Sequence, residues 1–172
     1  ELYLNNNLVT KITIPDSVTN IKTGAFFECA GLTSIEIPES VTEMGHSVFY
    51  SCVNLKEITL PSGVETINSG VFRDCQSLET ITFSKNVKKV DFTALCGCSN
   101  LKSVIFEHPG CRIADAEHTI CNSHDFDTEE NVFNGTIYGY ENSTAQAYAE
   151  KYNRTFVALE GKPAIEIIDS GE

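Results

Sequence analysis

A block of 23 residues recurs along this chain without an insertion: VTKITIPDSVTNIKTGAFFECAG from Val9, LTSIEIPESVTEMGHSVFYSCVN from Leu32, LKEITLPSGVETINSGVFRDCQS from Leu55 and LETITFSKNVKKVDFTALCGCSN from Leu78. A fifth copy, LKSVIFEHPGCRI from Leu101, begins in register and then loses the pattern. Apolar residues fall in columns: Ile12, Ile35, Ile58, Ile81, Val104; Ile14, Ile37, Leu60, Phe83, Phe106; Val18, Val41, Val64, Val87; Ile21, Met44, Ile67, Val90; Phe26, Phe49, Phe72, Leu95; Cys29, Cys52, Cys75, Cys98. A fixed period of this length means one supersecondary unit per repeat, each burying its apolar face only against its neighbours, and therefore a solenoid. Within a repeat, L-x-x-I-x-I alternates with the two-residue period of a strand, and the column Pro15, Pro38, Pro61 ends it, because proline cannot donate to a ladder. Equivalent strands then lie roughly 4.8 Å apart in a parallel sheet on one face.

The I-x-I-P-x-x-V-T-x-I and A-F-x-x-C elements resemble the BspA-type leucine-rich repeats of bacterial surface and secreted proteins, over about residues 9 to 113. TIYGYENSTAQAYAEKYNRTFVAL, from Thr136 to Leu159, resembles the segment that closes such arrays. The resemblance implies a right-handed leucine-rich-repeat solenoid, with a parallel β-sheet on one face, short strands and helical turns on the return side, and a small α/β C-terminal cap. The expected plan is a remnant of a preceding coil at 1–8, about 4.5 coils over 9–113, an irregular loop at 114–135, a strand–helix–strand cap at 136–159, and a linker at 160–172 to a possible further domain. In the cap, Ser143 or Thr144 is suited to start a helix, and Ala145, Tyr148, Ala149 and Tyr152 recur at helical spacing.

Charge narrows the partners. The chain has 172 residues, 12 basic against 24 acidic, a formal net of -12. Nucleic acid and anionic membrane both need a basic footprint, and the densest here is the pair Lys88–Lys89. No apolar run approaches the roughly 20 residues of a bilayer span, so no membrane insertion is expected. No G-x-S-x-G elbow, phosphate loop or dinucleotide fingerprint occurs, so neither an enzyme nor a cofactor is expected.

Seven cysteines is an odd number, so at least one thiol is unpaired within the chain. The Cys29, Cys52, Cys75, Cys98 column brings neighbours within disulfide range, but a free cysteine also packs as a small hydrophobe, and buried thiols are the expectation. After the last regular coil, His108-Pro-Gly-Cys111 and His118-Thr-Ile-Cys121 form two H-x-x-C pairs. Thiolate and imidazole suit zinc, a Cys111 to Cys121 disulfide is a second reading, and a plain polar loop is a third; no metal is assigned. The acidic run Asp125, Asp127, Glu129 and Glu130, with Asn131, lacks the spacing and glycine of an EF-hand and reads as a solvated loop.

Alternation turns Ile12 and Ile14 inward and leaves Lys11, Thr13, Ser34, Glu36, Glu57, Thr59, Thr80 and Thr82 on the solvent side of the sheet as the candidate ligand surface. The expected role is a non-catalytic protein-recognition or adhesion module of a secreted or cell-surface bacterial protein, with a protein ligand on a host or bacterial surface. The alternative is a glycan-binding or accessory domain of a dockerin-bearing polysaccharide-degrading complex. The absence of tryptophan counts against that alternative, since sugar platforms commonly use stacked aromatics.

Overall fold

The computed structural model describes residues 3–4, 7–124 and 131–161. The alternation of the L-x-x-I-x-I segments becomes a stack of short parallel strands. Lys11–Thr13, Ser34–Glu36 and Glu57–Ile58 form one ladder, with Ile12 opposite Ile35 and Ile35 opposite Ile58. Thr80–Phe83 and Ser103–Phe106 continue the face, with Ile81 opposite Val104. The V-x-x-I elements make a second, narrower stack: Asn20–Ile21 beside Glu43–Met44, then Thr66–Ile67, Lys89–Val90 and Arg112–Ile113. Each pairing joins residues 23 apart, so the sequence period is the geometric repeat of one coil.

The return path carries no helix in the regular coils; it is a chain of tight turns. Two positions per coil stand at positive φ. One is Gly24, Ser47, Gly70 and Thr93, at 66°, 53°, 67° and 53°, and the other is Glu28, Ser51, Asp74 and Gly97, at 54°, 57°, 56° and 75°. Left-handed residues reverse the chain quickly enough to turn the side chain two positions on, the Phe26 column, toward the core. Phe26, Phe49 and Phe72 stack at 5.4 and 5.7 Å with interplanar angles of 3° and 5°, and Leu95 replaces the ring in the fourth coil. The fully buried members, Phe49, Phe72 and Leu95, each stabilise the array by roughly 1.5–3 kcal/mol through burial alone, and Phe26 is only partly buried.

The cysteine column lies beside these rings as free thiols. Each thiol donates to the carbonyl of the aromatic one coil earlier: Cys52 to Phe26 at 3.1 Å, Cys75 to Phe49 at 3.2 Å, Cys98 to Phe72 at 3.1 Å. Cys29, in the first coil, is only partly buried. A small donor at this position satisfies a buried carbonyl that alanine would leave without that bond.

The fifth coil keeps its place through Ile113 and then lengthens. Leu95 pairs with Ile120, an offset of 25 where the other coils show 23. A short 3₁₀ turn, Glu117–Thr119, takes up the two extra residues. Beyond it, Ser123–His124 pairs antiparallel with Asn131–Val132, and the cap follows. Thr136–Gly139 extends the main sheet beside Ser103–Phe106, and Thr155–Ala158 extends it again. Between them the helix Thr144–Lys151 starts at Ser143, whose hydroxyl accepts from the Gln146 amide at 3.2 Å. Its Ala145, Tyr148 and Ala149 close the core, and the Tyr148 hydroxyl donates to the Ala116 carbonyl at 2.9 Å. At the other end, Tyr3–Leu4 pairs antiparallel with Asn7–Leu8. Among the described residues no helix is long and apolar enough to cross a membrane.

Candidate functional site

On the sheet face Lys11, Thr13, Glu36, Glu57, Thr59, Thr80 and Thr82 are exposed, and Ser34 is half-buried. These residues share one surface, and several are already engaged along the solenoid. The Thr13 hydroxyl donates to Glu36 at 3.0 Å, and the ammonium of Lys102 meets Glu79 at 2.7 Å, each pair 23 residues apart. Lys102 holds the Glu79 carboxyl below its ordinary value. A shallow hollow of about 730 Å³ lies here, lined by Lys11, Ser34, Lys56, Glu57, Glu79 and Thr80 among others. It offers donors and acceptors of both signs and no aromatic ring.

The return face differs. One residue after each core phenylalanine stands a second column, Phe27, Tyr50, Arg73 and Cys96. Phe27 is 46% exposed and stacks on Tyr50 at 4.9 Å, and the Arg73 guanidinium lies over the opposite end of that pair, 5.4 Å from the Tyr50 ring. Exposed His46 and Phe92, which is 51% exposed, flank the column. A hollow of about 410 Å³ between Phe27, His46, Tyr50, Ser69, Arg73 and Thr93 adjoins a second of about 500 Å³, with Arg73 and Thr93 in the walls of both. Aromatic and arginine side chains supply most anchor energy in protein interfaces, so this stripe has the composition that the sheet face lacks. The F/Y/R/C column is visible in the aligned repeats, beside the buried one; an inspection of the sheet-face rows alone passes over it.

The weak metal candidates are placed apart. The His108 ring nitrogen accepts from the Gly110 amide at 3.0 Å, and Cys111 is buried in the main core, where burial pushes its thiol up to about 12. The His118 and His124 rings lie tilted at 51° to each other, with centroids 5.7 Å apart. Cys121 faces Cys96, and among the described residues no group of three or more His, Cys, Asp or Glu side chains is arranged to hold a metal ion. Cys111 packs in the main core, whereas Cys121 lies outside it beside Cys96, so the structure does not bring the Cys111 and Cys121 side chains together. Asp125, Asp127, Glu129 and Glu130 lie outside the described residues.

A closed core built from parallel strands that repeat every 23 residues defines the fold class, the leucine-rich-repeat solenoid. The chain belongs to the family described as the BspA type leucine rich repeat region, whose profile matches residues 1–124 in six copies. Three solved structures share the fold. They are a Treponema pallidum (T. pallidum) leucine rich repeat protein (TM-score 0.62, 19% identity, 77% of this chain and 60% of that one), a leucine rich cell surface protein from Faecalibacterium prausnitzii (0.58, 21%, 90% and 33%), and the pneumococcal vaccine antigen PcpA (0.67, 16%, 92% and 44%). The chain thus spans 60% or less of the length of each. No curated protein matches the chain.

Proposed function

We propose that this chain is a non-catalytic protein-recognition module of a bacterial surface or secreted protein, and that it holds its partner on the return face. The observation that carries the reading is the Phe27–Tyr50–Arg73 stack, an ordered and partly exposed anchor beside two hollows. Family membership supports the module, and a surface or secreted location follows the names of the similar proteins, one described as a cell surface protein and one as a vaccine antigen. Polar residues on the sheet pair along the coils, whereas the aromatic stripe has rings to offer a partner.

A second reading places a glycan or a polar protein ligand in the sheet hollow around Ser34, Glu57, Thr80 and Asn100, whose hydroxyl, carboxylate and amide groups suit sugar hydroxyls. The test is selection of the immobilised chain against a displayed peptide library and a glycan array. It compares the wild type with Tyr50→Ala plus Arg73→Ala, and with Glu36→Lys plus Glu57→Lys. Loss of peptide capture by about tenfold or more in the first double variant, with melting unchanged, supports the return face. Loss only in the second moves the site to the sheet, and retention of glycans without peptides replaces the protein-recognition reading.

A further inference from the structure

Cys96 and Cys121 are buried, 2% and 0% exposed, yet neither belongs to the continuous core that takes in Cys52, Cys75, Cys98 and Cys111. They face each other across the place where the fifth coil departs from the period. The Leu95 amide donates to Thr119 at 2.9 Å, the Cys121 amide to the Leu95 carbonyl at 3.3 Å, and the Cys98 amide to the Cys121 carbonyl at 3.2 Å. Those bonds bracket Cys96 and set Cys121 directly alongside it, as neighbours in adjacent parallel segments about 4.8 Å apart, inside the Cα separation a disulfide needs. The parallel bridge of Leu95 with Ile120 makes Cys96 and Cys121 the next pair in register, and their thiols interact, while Cys121 Sγ also donates to the His118 carbonyl at 3.8 Å. Cys96 also lines the hollow of about 500 Å³ beside Arg73, Glu117, His118 and His124, which gives a small oxidant a route to its sulfur.

We infer that Cys96 and Cys121 are a disulfide site that locks the last regular coil to the irregular closing segment, formed by exchange with a small-molecule disulfide. Cys96 Sγ, at the hollow, gives up its proton to solvent and bonds to one sulfur of the incoming RSSR, releasing RS⁻. Cys121, having lost its proton in turn, attacks Cys96 Sγ and displaces the second RS⁻. The two leaving thiolates take up two protons, so two cysteines are oxidised to one disulfide and one RSSR is reduced to two RSH. Access sets this order, not acidity: the Cys121 interaction and burial raise the Cys96 thiol, but Cys96 is the sulfur at the hollow, and Cys121, held below its ordinary value by the Cys96 thiol and the Gly97 amide, is ready to resolve the mixed disulfide. No other cysteine competes. Cys98 Sγ is engaged with the Phe72 carbonyl, and Cys111 lies in the main core.

The test is treatment of the full chain with oxidised glutathione, alkylation in denaturant, and peptide mapping by mass spectrometry. We expect the seven free thiols to fall by two, together with a cross-linked peptide pair holding Cys96 and Cys121 and lighter by two hydrogens. Cys96→Ser and Cys121→Ser, each checked for an unchanged circular dichroism spectrum, abolish the cross-link. Seven alkylated thiols after oxidation, or a bridge from Cys121 to Cys98 or Cys111 in the folded wild type, overturns the inference.

Discussion

The side-chain amide of Asn122 donates to the Cys98 carbonyl at 2.8 Å and to the Leu101 carbonyl at 2.9 Å, while its oxygen accepts from the Asn134 amide at 2.7 Å. Asn122 is 9% exposed and is the last of a series of asparagines that reach back one coil: Asn54 to Ala30, Asn68 to Met44, Asn86 to Ser62 and Asn100 to Gln76. It differs from them in closing three bonds at once. Removing it leaves the Leu101 carbonyl and the Asn134 amide without these partners and the Cys98 carbonyl with only the Leu101 amide, at about 1–3 kcal/mol for such a loss. Asn122→Asp, nearly isosteric but without donors, is therefore expected to lower the urea midpoint at least as much as Asn122→Ala. Equal midpoints for wild type and Asn122→Asp would show that the closure does not depend on these bonds.

Phe49 is fully buried between Phe26 and Phe72 and has no solvent-facing edge into which the structure can relax. Phe49→Ala is expected to cost about 3–5 kcal/mol. The loss falls in the middle of a one-dimensional stack, so hydrogen exchange should quicken in the coils on both sides of it. Faster exchange confined to residues 32–54 would contradict nearest-neighbour coupling.

Most of the fold is legible in the sequence because the chemistry repeats at fixed spacing. Ile12, Ile35 and Ile58 share a column and are register partners, and the cap helix begins at one of the two residues that capping chemistry allows, Ser143. What escapes is where spacing stops meaning position. Cys121 stands 23 residues after Cys98, yet the run from Ile113 to Ile120 is two residues longer than that from Val90 to Leu95 (7 against 5). Cys121 therefore lies beside Cys96 and does not extend the thiol ladder. The Phe27–Tyr50–Arg73 stripe escapes for a different reason. Its members share geometry but not chemistry, so a search for repeated residue types does not collect them.

Alkaline instability follows from the thiol ladder. Burial pushes Cys52 and Cys111 from 9.0 up to about 12, and raises Cys75 and Cys98 as well. Below pH 9 both folded and unfolded thiols hold their protons, so this contribution to stability is fully present. As pH rises from 9 through 12 the unfolded chain loses protons that the folded one retains, and the contribution is lost at up to about 1.4 kcal/mol per pH unit for each thiol. Melting temperature should fall steeply across this window, and less steeply in Cys52→Ala, although that variant starts lower at neutral pH because it loses the bond to the Phe26 carbonyl. Parallel slopes for the two proteins would remove Cys52 from the explanation.

Thr93 occupies a left-handed turn at φ 53° where the equivalent residues of two earlier coils are glycine, Gly24 at 66° and Gly70 at 67°. A β-branched side chain is poorly suited to that region, with strain of about 1–3 kcal/mol, and the bond from its hydroxyl to the Phe92 carbonyl, at 2.7 Å, offsets part of it. Glycine relieves the strain but gives the unfolded chain more freedom, worth about 0.5–1 kcal/mol in the opposite direction. Strain is the larger quantity, so Thr93→Gly is expected to raise stability by about 0.5–1 kcal/mol. The reciprocal change, Gly70→Thr, introduces the same strain, and its Cβ would stand 3.1 Å from the Ser47 hydroxyl oxygen, so it should lower stability. Urea melts of the two single variants measure both shifts. A loss of stability in Thr93→Gly would mean that the hydroxyl bond and chain entropy outweigh the backbone strain at this turn.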